Sequence, residues 1–106
     1  MSTDDIRRRA DNLVAFFAVA PMKQTFGMSL SYDEQGDAHF DMPFKEALCH
    51  AMKDTHGGAI ATLIDNAGWF TAATRYDHWI STSEMTVRLH EPANQDDLQA
   101  VGRVVR

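Results

Sequence analysis

The feature that most constrains this sequence is the stretch Asp54–Tyr76, DTHGGAIATLIDNAGWFTAATRY, which carries almost no charge. After its first residue, only Asp65 and Arg75 interrupt it, and it is rich in small residues. A helix that is apolar on all sides is normally buried on all sides. We therefore expect a long buried helix over residues 56–76. Asp65, with no basic residue within one turn, is costly to bury there and is the first candidate for a functional group.

Composition limits the remaining possibilities. At 106 residues the chain is long enough for one domain, residues 1–106, with a single modest core. The net charge of −5 argues against a nucleic-acid partner. No apolar run is long enough for a membrane span, and the N-terminus lacks the apolar core of a secretion signal. With a single cysteine, Cys49, these features favour a cytoplasmic protein without disulfides or a membrane partner.

The first twenty residues predict an N-terminal helix over residues 1–20. Ser2 or Thr3 is a suitable N-cap, and acidic residues follow it in the first turn. Apolar residues recur at helical spacing, and Pro21 is expected to end the helix. We expect the arginines to lie on the solvated face. The apolar stripe consists of Ile6, Ala10, Leu13 and Phe17, widened by Val14 and Phe16, and the arginines are Arg7, Arg8 and Arg9.

Two alternating runs on either side of a turn predict an antiparallel hairpin. The first strand is expected at Phe26–Asp33 and the second at residues 38–42, where Ala38, Phe40 and Met42 alternate with polar residues. The turn Asp33–Gly36 offers a glycine for a positive φ. Residues 44–53 have no clear period and are expected to form a loop or a short helical turn.

The C-terminal third predicts two further strands. Apolar and polar side chains alternate over residues 79–89, and a break in this alternation suggests a bulge near Ser81–Ser83. Residues 91–97 predict a loop. Residues 98–106 predict a fourth strand, in which Val101, Val104 and Val105 suggest burial on both faces. The fold class is therefore α+β, with an antiparallel sheet wrapped around one long helix.

The start of the central helix is a second candidate for function. Thr55 or His56 lies where an N-cap belongs, and the glycines after it leave backbone N–H groups uncovered, which suits an anion or a developing oxyanion. Asp65 lies about 12 Å along the axis from Gly57. One small carbonyl group cannot contact both, so a shared reaction needs two helices side by side in a two-fold dimer.

The role of Asp65 is open at this point. A poorly hydrated carboxylate suits a general base that activates water, or a nucleophile that attacks a carbonyl. A purely structural role, as a hydrogen-bond acceptor for a neighbouring loop, is equally consistent with its spacing. Metal binding is not expected, because His39, His78 and His90 lack the spacing of ligands.

Two segments resemble a known family. His56-Gly-Gly-Ala-Ile-Ala-Thr-Leu-Ile-Asp65-Asn-Ala closely resembles the HGG…D helix of hotdog-fold thioesterases of the phenylacetic-acid-degradation type, in the hydroxybenzoyl-CoA thioesterase superfamily. Residues 82–93, TSEMTVRLHEPA, resemble the strand that follows in that family, and residues 98–106 the next one. The resemblance runs from about Pro21 to the end. The spacing from the glycine pair to Asp65 is its most specific element.

The resemblance implies hydrolysis of an acyl-CoA, or a similar acyl thioester, by a homodimer or a dimer of dimers (homotetramer), with no cofactor. On this resemblance, Asp65 is expected to take the role of the family's catalytic carboxylate, either activating water or attacking the thioester. The backbone N–H of Gly57 is expected to polarise the thioester carbonyl. Thr82 matches a hydroxyl residue that helps to place the water, and Ser83 is its close rival.

The substrate-binding half of the site departs from the family pattern. The resemblance implies that His50, His56 and Gly58 contribute to it, but many relatives have Asn at the position of His50, and Lys53 replaces a residue that is often Gly. For His56, a structural role at the helix start is favoured over acid–base chemistry. Trp69 and Phe70 are expected in the core or a dimer contact, with an acyl pocket as the alternative.

Relatives usually continue for two more strands, which this chain is expected to lack. That departure keeps a second function open, a non-catalytic acyl-CoA-binding or degenerate structural hotdog protein. A hotdog dehydratase or hydratase would need a histidine with an acidic partner in a different motif, and none is present.

Overall fold

The computed structural model describes residues 1–105 and shows a mixed α+β chain. The elements are helix α1 (Thr3–Ala18), helix α2 (Pro21–Phe26), strand β1 (Ser29–Tyr32), strand β2 (Ala38–Met42), a 3-10 turn (Glu46–Leu48), helix α3 (Gly57–Ala73) and strand β3 (Leu98–Val101). The three strands form an antiparallel sheet in the order β1-β2-β3. The expected fold class, an antiparallel sheet packed against one long helix, is confirmed.

Helix α1 begins and ends close to the expected positions. The Oγ atom of Ser2 accepts a hydrogen bond from the Asp5 N–H at 3.1 Å, so Ser2 is the N-cap. Phe17 is fully buried, whereas Val14 and Phe16 are exposed, so the buried stripe is narrower than predicted. Phe16 instead packs edge-on against Trp79, with ring centroids 6.0 Å apart.

The arginines of α1 are not all solvated, which corrects the prediction for Arg9. Its Nε donates to an Asp77 carboxylate oxygen at 2.9 Å, and its Nη1 donates to the carbonyl of Thr74 at 3.2 Å. Only 11% of the Arg9 side chain is exposed. Arg9 therefore ties α1 to the end of α3, whereas Arg7 and Arg8 remain on the exposed face.

Pro21 starts a second helix, and this shortens the predicted first strand. Its fixed φ suits the first helical position, where no N–H is needed. Gly27 then ends α2 in the left-handed conformation, with φ of 69°. Phe26 consequently belongs to a helix, and the strand begins at Ser29.

The predicted antiparallel hairpin forms. Ser29 pairs with Asp41, and Tyr32 pairs with Ala38. Every second residue of β2 is buried, as the alternation predicted. In the turn, Gly36 has φ of 81°, and a Cβ at this position would lie 2.4 Å from the side chain of Ile6. Glycine is therefore required there for two separate reasons.

Asp33 makes the stability of this hairpin depend on pH. Its Oδ2 lies 2.8 Å from His39 Nε2, and its Oδ1 accepts from the N–H groups of Gln35 and Asp37. The hydrogen bond with His39, helped by those backbone groups, holds the pKa of Asp33 below its ordinary value of 3.8. The unfolded chain therefore binds more protons in acid, and the stabilisation is lost as pH falls through the folded-state pKa.

We expect urea-unfolding free energies measured from pH 2.5 to 6 to rise with pH, and to rise less steeply in Asp33→Asn. Glu34→Gln is the matched control, since Glu34 is an exposed carboxylate in the same turn. Equal slopes for the wild type and Asp33→Asn would contradict this assignment.

Helix α3 lies across the sheet and contributes more residues to the core than any other element. Phe17, Phe40 and Phe70 form an aromatic cluster with ring centroids 5.1–5.4 Å apart. The hydroxyl of Tyr32 donates to the carbonyl of Phe70 at 2.7 Å, and burial raises the pKa of Tyr32 above its usual range. These contacts fix the helix against β1 and β2.

The α3–β3 contact is unusually close. Gly102 is buried, and a Cβ at this position would lie 2.0 Å from the Ala67 carbonyl oxygen and 2.5 Å from the Thr71 hydroxyl. The Gly102 N–H donates to the carbonyl of Ala38 at 3.0 Å. The Ala38 N–H in turn donates to the Thr71 hydroxyl at 2.7 Å. A backbone N–H of β2 and a side-chain hydroxyl of α3 therefore join sheet and helix, in addition to the apolar packing.

Helix α3 is not buried on all sides, which corrects the prediction from its apolar sequence. Gly58, Ile64 and Gly68 are exposed, and Asp65 and Trp69 are half-buried on the same side. One face of the helix is therefore open in the single chain. The helix is also shorter than residues 56–76, since His56 is its N-cap and Thr74 its C-cap.

The predicted strand over residues 79–89 is absent. Residues 79–90 have no regular secondary structure and no backbone ladder with any part of the described chain. Alternation suits a strand, but a strand also needs a neighbour to pair with. The bulge predicted near residues 81–83 therefore has no ladder to interrupt.

Strand β3 is shorter than predicted and is not buried on both faces. It ends at Val101, and Val101, Val104 and Val105 are all exposed. Arg106, the last residue of the predicted strand, lies outside the described residues. The loop at residues 91–97 and the short helical turn within residues 44–53 are both present.

Candidate active site

Asp65 lies on the open face of α3 and contacts the predicted hydroxyl residue. The Thr82 hydroxyl donates to Asp65 Oδ1 at 2.7 Å. Ser83, its predicted rival, is exposed and makes no hydrogen bond to Asp65. No Lys, Arg or His in residues 1–105 forms an ion pair with this carboxylate. Asp65 is thus held by a neutral donor, with its other oxygen open to a further hydrogen bond.

A cavity of about 320 Å³ adjoins this pair. Its polar lining residues are Asp65, Ser81, Thr82 and Glu84, and most of its wall is apolar. The apolar wall is formed by Ile64, Trp69, Ala72, Ile80 and Met85. An apolar cavity with a few polar groups at one point is typical of small-molecule sites.

Trp69 and Asp65 hold the segment that carries Thr82. They lie four residues apart on the same face of α3. The indole Nε1–H of Trp69 donates to the carbonyl of Ile80 at 2.9 Å, and Thr82 binds Asp65 two residues later. Two side-chain hydrogen bonds from one helix face therefore position this segment in place of a sheet ladder.

The start of α3 is shaped by its N-cap. His56 Nδ1 accepts a hydrogen bond from the Gly58 N–H at 2.7 Å, so His56 is the N-cap of α3. The Gly58 N–H is therefore occupied. The Gly57 N–H has no hydrogen-bond partner within residues 1–105. A Cβ at Gly57 would lie 2.9 Å from Leu89 Cδ1, so glycine leaves room for this segment.

A second cavity, of about 280 Å³, lies at this end of the helix. His50, Gly57, Ile60 and Leu89 contribute to its wall. It shares no lining residue with the cavity beside Asp65. One chain therefore presents two separate cavities along one open helix face.

His50 lies in a tight turn before the helix. Its Nδ1 accepts from the Met52 N–H at 3.0 Å, and its ring centroid is 6.5 Å from that of His56. Lys53, in the same turn, has φ of 72°. This left-handed conformation favours glycine, and it explains in physical terms why glycine suits this position.

Sequence reasoning missed contacts that shape these cavities. Trp69 was expected in the core or a dimer contact, with an acyl pocket as the alternative, but its hydrogen bond to Ile80 had no signal in the sequence. Leu89 was assigned to a strand, and nothing in the alternation placed it over Gly57.

Within residues 1–105, no three His, Cys, Asp or Glu side chains are grouped to hold a metal ion. No helix among those residues is both long and apolar enough to cross a membrane.

Comparison with known proteins places the chain in a family. Residues 52–106 match the model of the thioesterase superfamily. A crystal structure of a protein from the thioesterase superfamily is 30% identical, with a TM-score of 0.74 over 87% of this chain and 71% of that one. A thioesterase family protein from Silicibacter pomeroyi is 22% identical, with a TM-score of 0.76 over 89% of this chain and 68% of that one, and so shares the fold. No curated protein matches. The chain belongs to the thioesterase superfamily.

Proposed function

We propose that the protein is an acyl-CoA thioesterase of the phenylacetic-acid-degradation type, with Asp65 as its catalytic carboxylate. The observation that carries this proposal is the hydrogen-bonded pair of Asp65 and Thr82 at the edge of an apolar cavity. The pair supplies a carboxylate and a hydroxyl, and the cavity accommodates an acyl group. Superfamily membership supports the thioester as the bond that is broken.

Asp65 acts either on water or on the thioester itself. As a general base, it takes a proton from water while the water oxygen bonds to the carbonyl carbon. The C–S bond then breaks, and the proton passes to the departing CoA sulfur. As a nucleophile, Asp65 displaces the CoA thiolate to form an anhydride, which water then hydrolyses. In both routes Thr82 orients the carboxylate.

A second subunit completes the site. The Gly57 N–H, reinforced by the positive end of the helix dipole, suits the oxygen of the thioester carbonyl. It lies about 12 Å along the axis from Asp65 of the same chain, and the two groups adjoin cavities that share no residue. We assign to each site Asp65 of one subunit and the Gly57 N–H of its partner, in a homodimer or a dimer of dimers.

The first test is release of free thiol from a panel of acyl-CoA esters, with solution mass measured alongside. Turnover of at least one acyl-CoA by a dimer or tetramer is expected. A chain that stays monomeric and hydrolyses no thioester would overturn the proposal.

Complementation tests the shared site. Gly57→Pro removes the N–H at the first helical position, where proline is tolerated, and His56 with ψ of 138° already has the backbone that precedes proline. Alone, Gly57→Pro and Asp65→Asn should both be inactive. Gly57→Ala keeps the donor and most of the activity, because only the end of the flexible Leu89 side chain must shift. A one-to-one co-assembly of the two inactive variants should recover about a quarter of wild-type activity, since half of its dimers have one intact site. If confirmed mixed dimers recover no activity, Asp65 and the Gly57 N–H of the same chain must serve one site.

A non-catalytic acyl-CoA-binding protein is the second candidate. His50 favours it, because its Nδ1 is already engaged by the Met52 N–H in a turn that departs from the family pattern. This function predicts that acyl-CoA raises the melting temperature of the wild type without any release of thiol.

A further inference from the structure

Trp69 lies between the cavity beside Asp65 and a third cavity, under α1, which we call the aromatic cavity. The aromatic cavity has a volume of about 360 Å³. Its wall contains apolar and aromatic residues such as Phe16 and Trp79 as well as polar ones, and Trp69 is the one residue within 1–105 that lines both cavities. The proposed reaction does not use this aromatic cavity.

We infer that Trp69 is a specificity-determining residue that closes the acyl cavity and restricts the enzyme to short or compact acyl groups. This inference rests on the proposed function, since it takes the cavity beside Asp65 as the acyl site. Asp65 and Trp69 are neighbours on one face of α3, four residues apart. An acyl chain that extends from a carbonyl at Asp65 into this cavity therefore meets the indole.

The indole is fixed in this position. Its Nε1–H donates to the carbonyl of Ile80 at 2.9 Å, so rotation of the ring would leave a half-buried donor without its partner. Its ring packs against Phe70 at 4.7 Å and against Trp79 at 5.1 Å between centroids. A side chain held on three sides does not swing aside for a longer substrate without losing these contacts.

Removing the indole should join the two cavities. Phe16 and Trp79 lie on the far side, where they offer apolar surface to the end of a longer chain. Trp69 therefore separates two spaces. The cavity beside Asp65 is available to the substrate of the wild type, and the aromatic cavity becomes available only when Trp69 is replaced.

The test is kcat/KM for straight-chain acyl-CoA esters from acetyl to myristoyl. In Trp69→Leu, the ratio of long-chain to short-chain kcat/KM should rise at least about tenfold. Trp69→Phe keeps one aromatic ring but loses the second ring with its N–H donor, so its ratio should lie between those of the wild type and Trp69→Leu. An unchanged ratio in Trp69→Leu would overturn the inference.

A second variant tests the barrier from its far side. Phe16 is 49% exposed and lies beyond the wall, so Phe16→Ala should leave the wild-type profile unchanged. In the Trp69→Leu background it should lower the long-chain rates. A change of profile from Phe16→Ala alone would show that Trp69 does not separate the cavities.

Binding separates failure of this inference from failure of the proposed function. Acyl-CoA thioethers cannot be hydrolysed, and calorimetry gives their affinity for wild type and Trp69→Leu without any turnover. If Trp69→Leu prefers a longer acyl chain than the wild type does, the role of Trp69 as a barrier is supported even in a protein that hydrolyses nothing. Equal preferences overturn it even in an active thioesterase.

Discussion

Asp65→Asn is expected to reduce acyl-CoA hydrolysis by roughly a thousand-fold or more while the protein stays folded. The amide has the size of the carboxylate and still offers an oxygen to the Thr82 hydroxyl, which lies 2.7 Å from Asp65. It cannot take a proton from water at neutral pH, and it is a poor nucleophile. Steady-state kinetics with a thiol reagent gives the loss of activity, and circular dichroism with thermal unfolding tests the fold.

The control for this substitution is Asp11→Asn, which makes the same chemical change at an exposed position of α1. It should retain full activity. Unchanged turnover in Asp65→Asn would remove the carboxylate from the mechanism and would leave the structural role, as an acceptor for the segment that carries Thr82.

Gly102→Ala is expected to lower the free energy of unfolding by about 3 kcal/mol or more, a large part of the total for a small domain. The new Cβ would lie 2.0 Å from the carbonyl oxygen of Ala67, which is backbone and cannot rotate away. Strand β3 and helix α3 must therefore separate, and the bond from the Gly102 N–H to the Ala38 carbonyl weakens with them. Urea unfolding of the purified variant gives the change.

The matched control is Gly68→Ala in α3. A Cβ there meets nothing within 4 Å, and alanine is the better helix former. This variant should be more stable than the wild type by about 0.5–1 kcal/mol. Wild-type stability in Gly102→Ala would mean that the helix and β3 are not held in this close contact.

The local elements of the fold were predictable where short-range chemistry determines them. Ser2 and His56 cap their helices, Gly36 forms the hairpin turn, and the burial of β2 follows its alternation. The proximity of Thr82 to Asp65 came from a family resemblance, because they are far apart in sequence and share no local pattern.

The incorrect predictions concern elements whose structure depends on contacts with distant parts of the chain. The alternation of residues 79–89 is typical of a strand, but a ladder needs a partner that the described chain does not provide. Arg9 was expected in solvent because its spacing on α1 does not reveal that Asp77 lies nearby. Pro21 was expected only to end a helix, although the same ring also suits the start of the next one.

The segment from Ile80 to Ala93 contributes to both cavities of a chain, at Asp65 through Thr82 and at Gly57 through Leu89. In the proposed dimer these two cavities belong to different active centres. Loosening this one segment would therefore impair both centres of the dimer together. The hydrogen bonds from Trp69 and Asp65 that hold it would then link the activities of the two centres, although the substrates never meet.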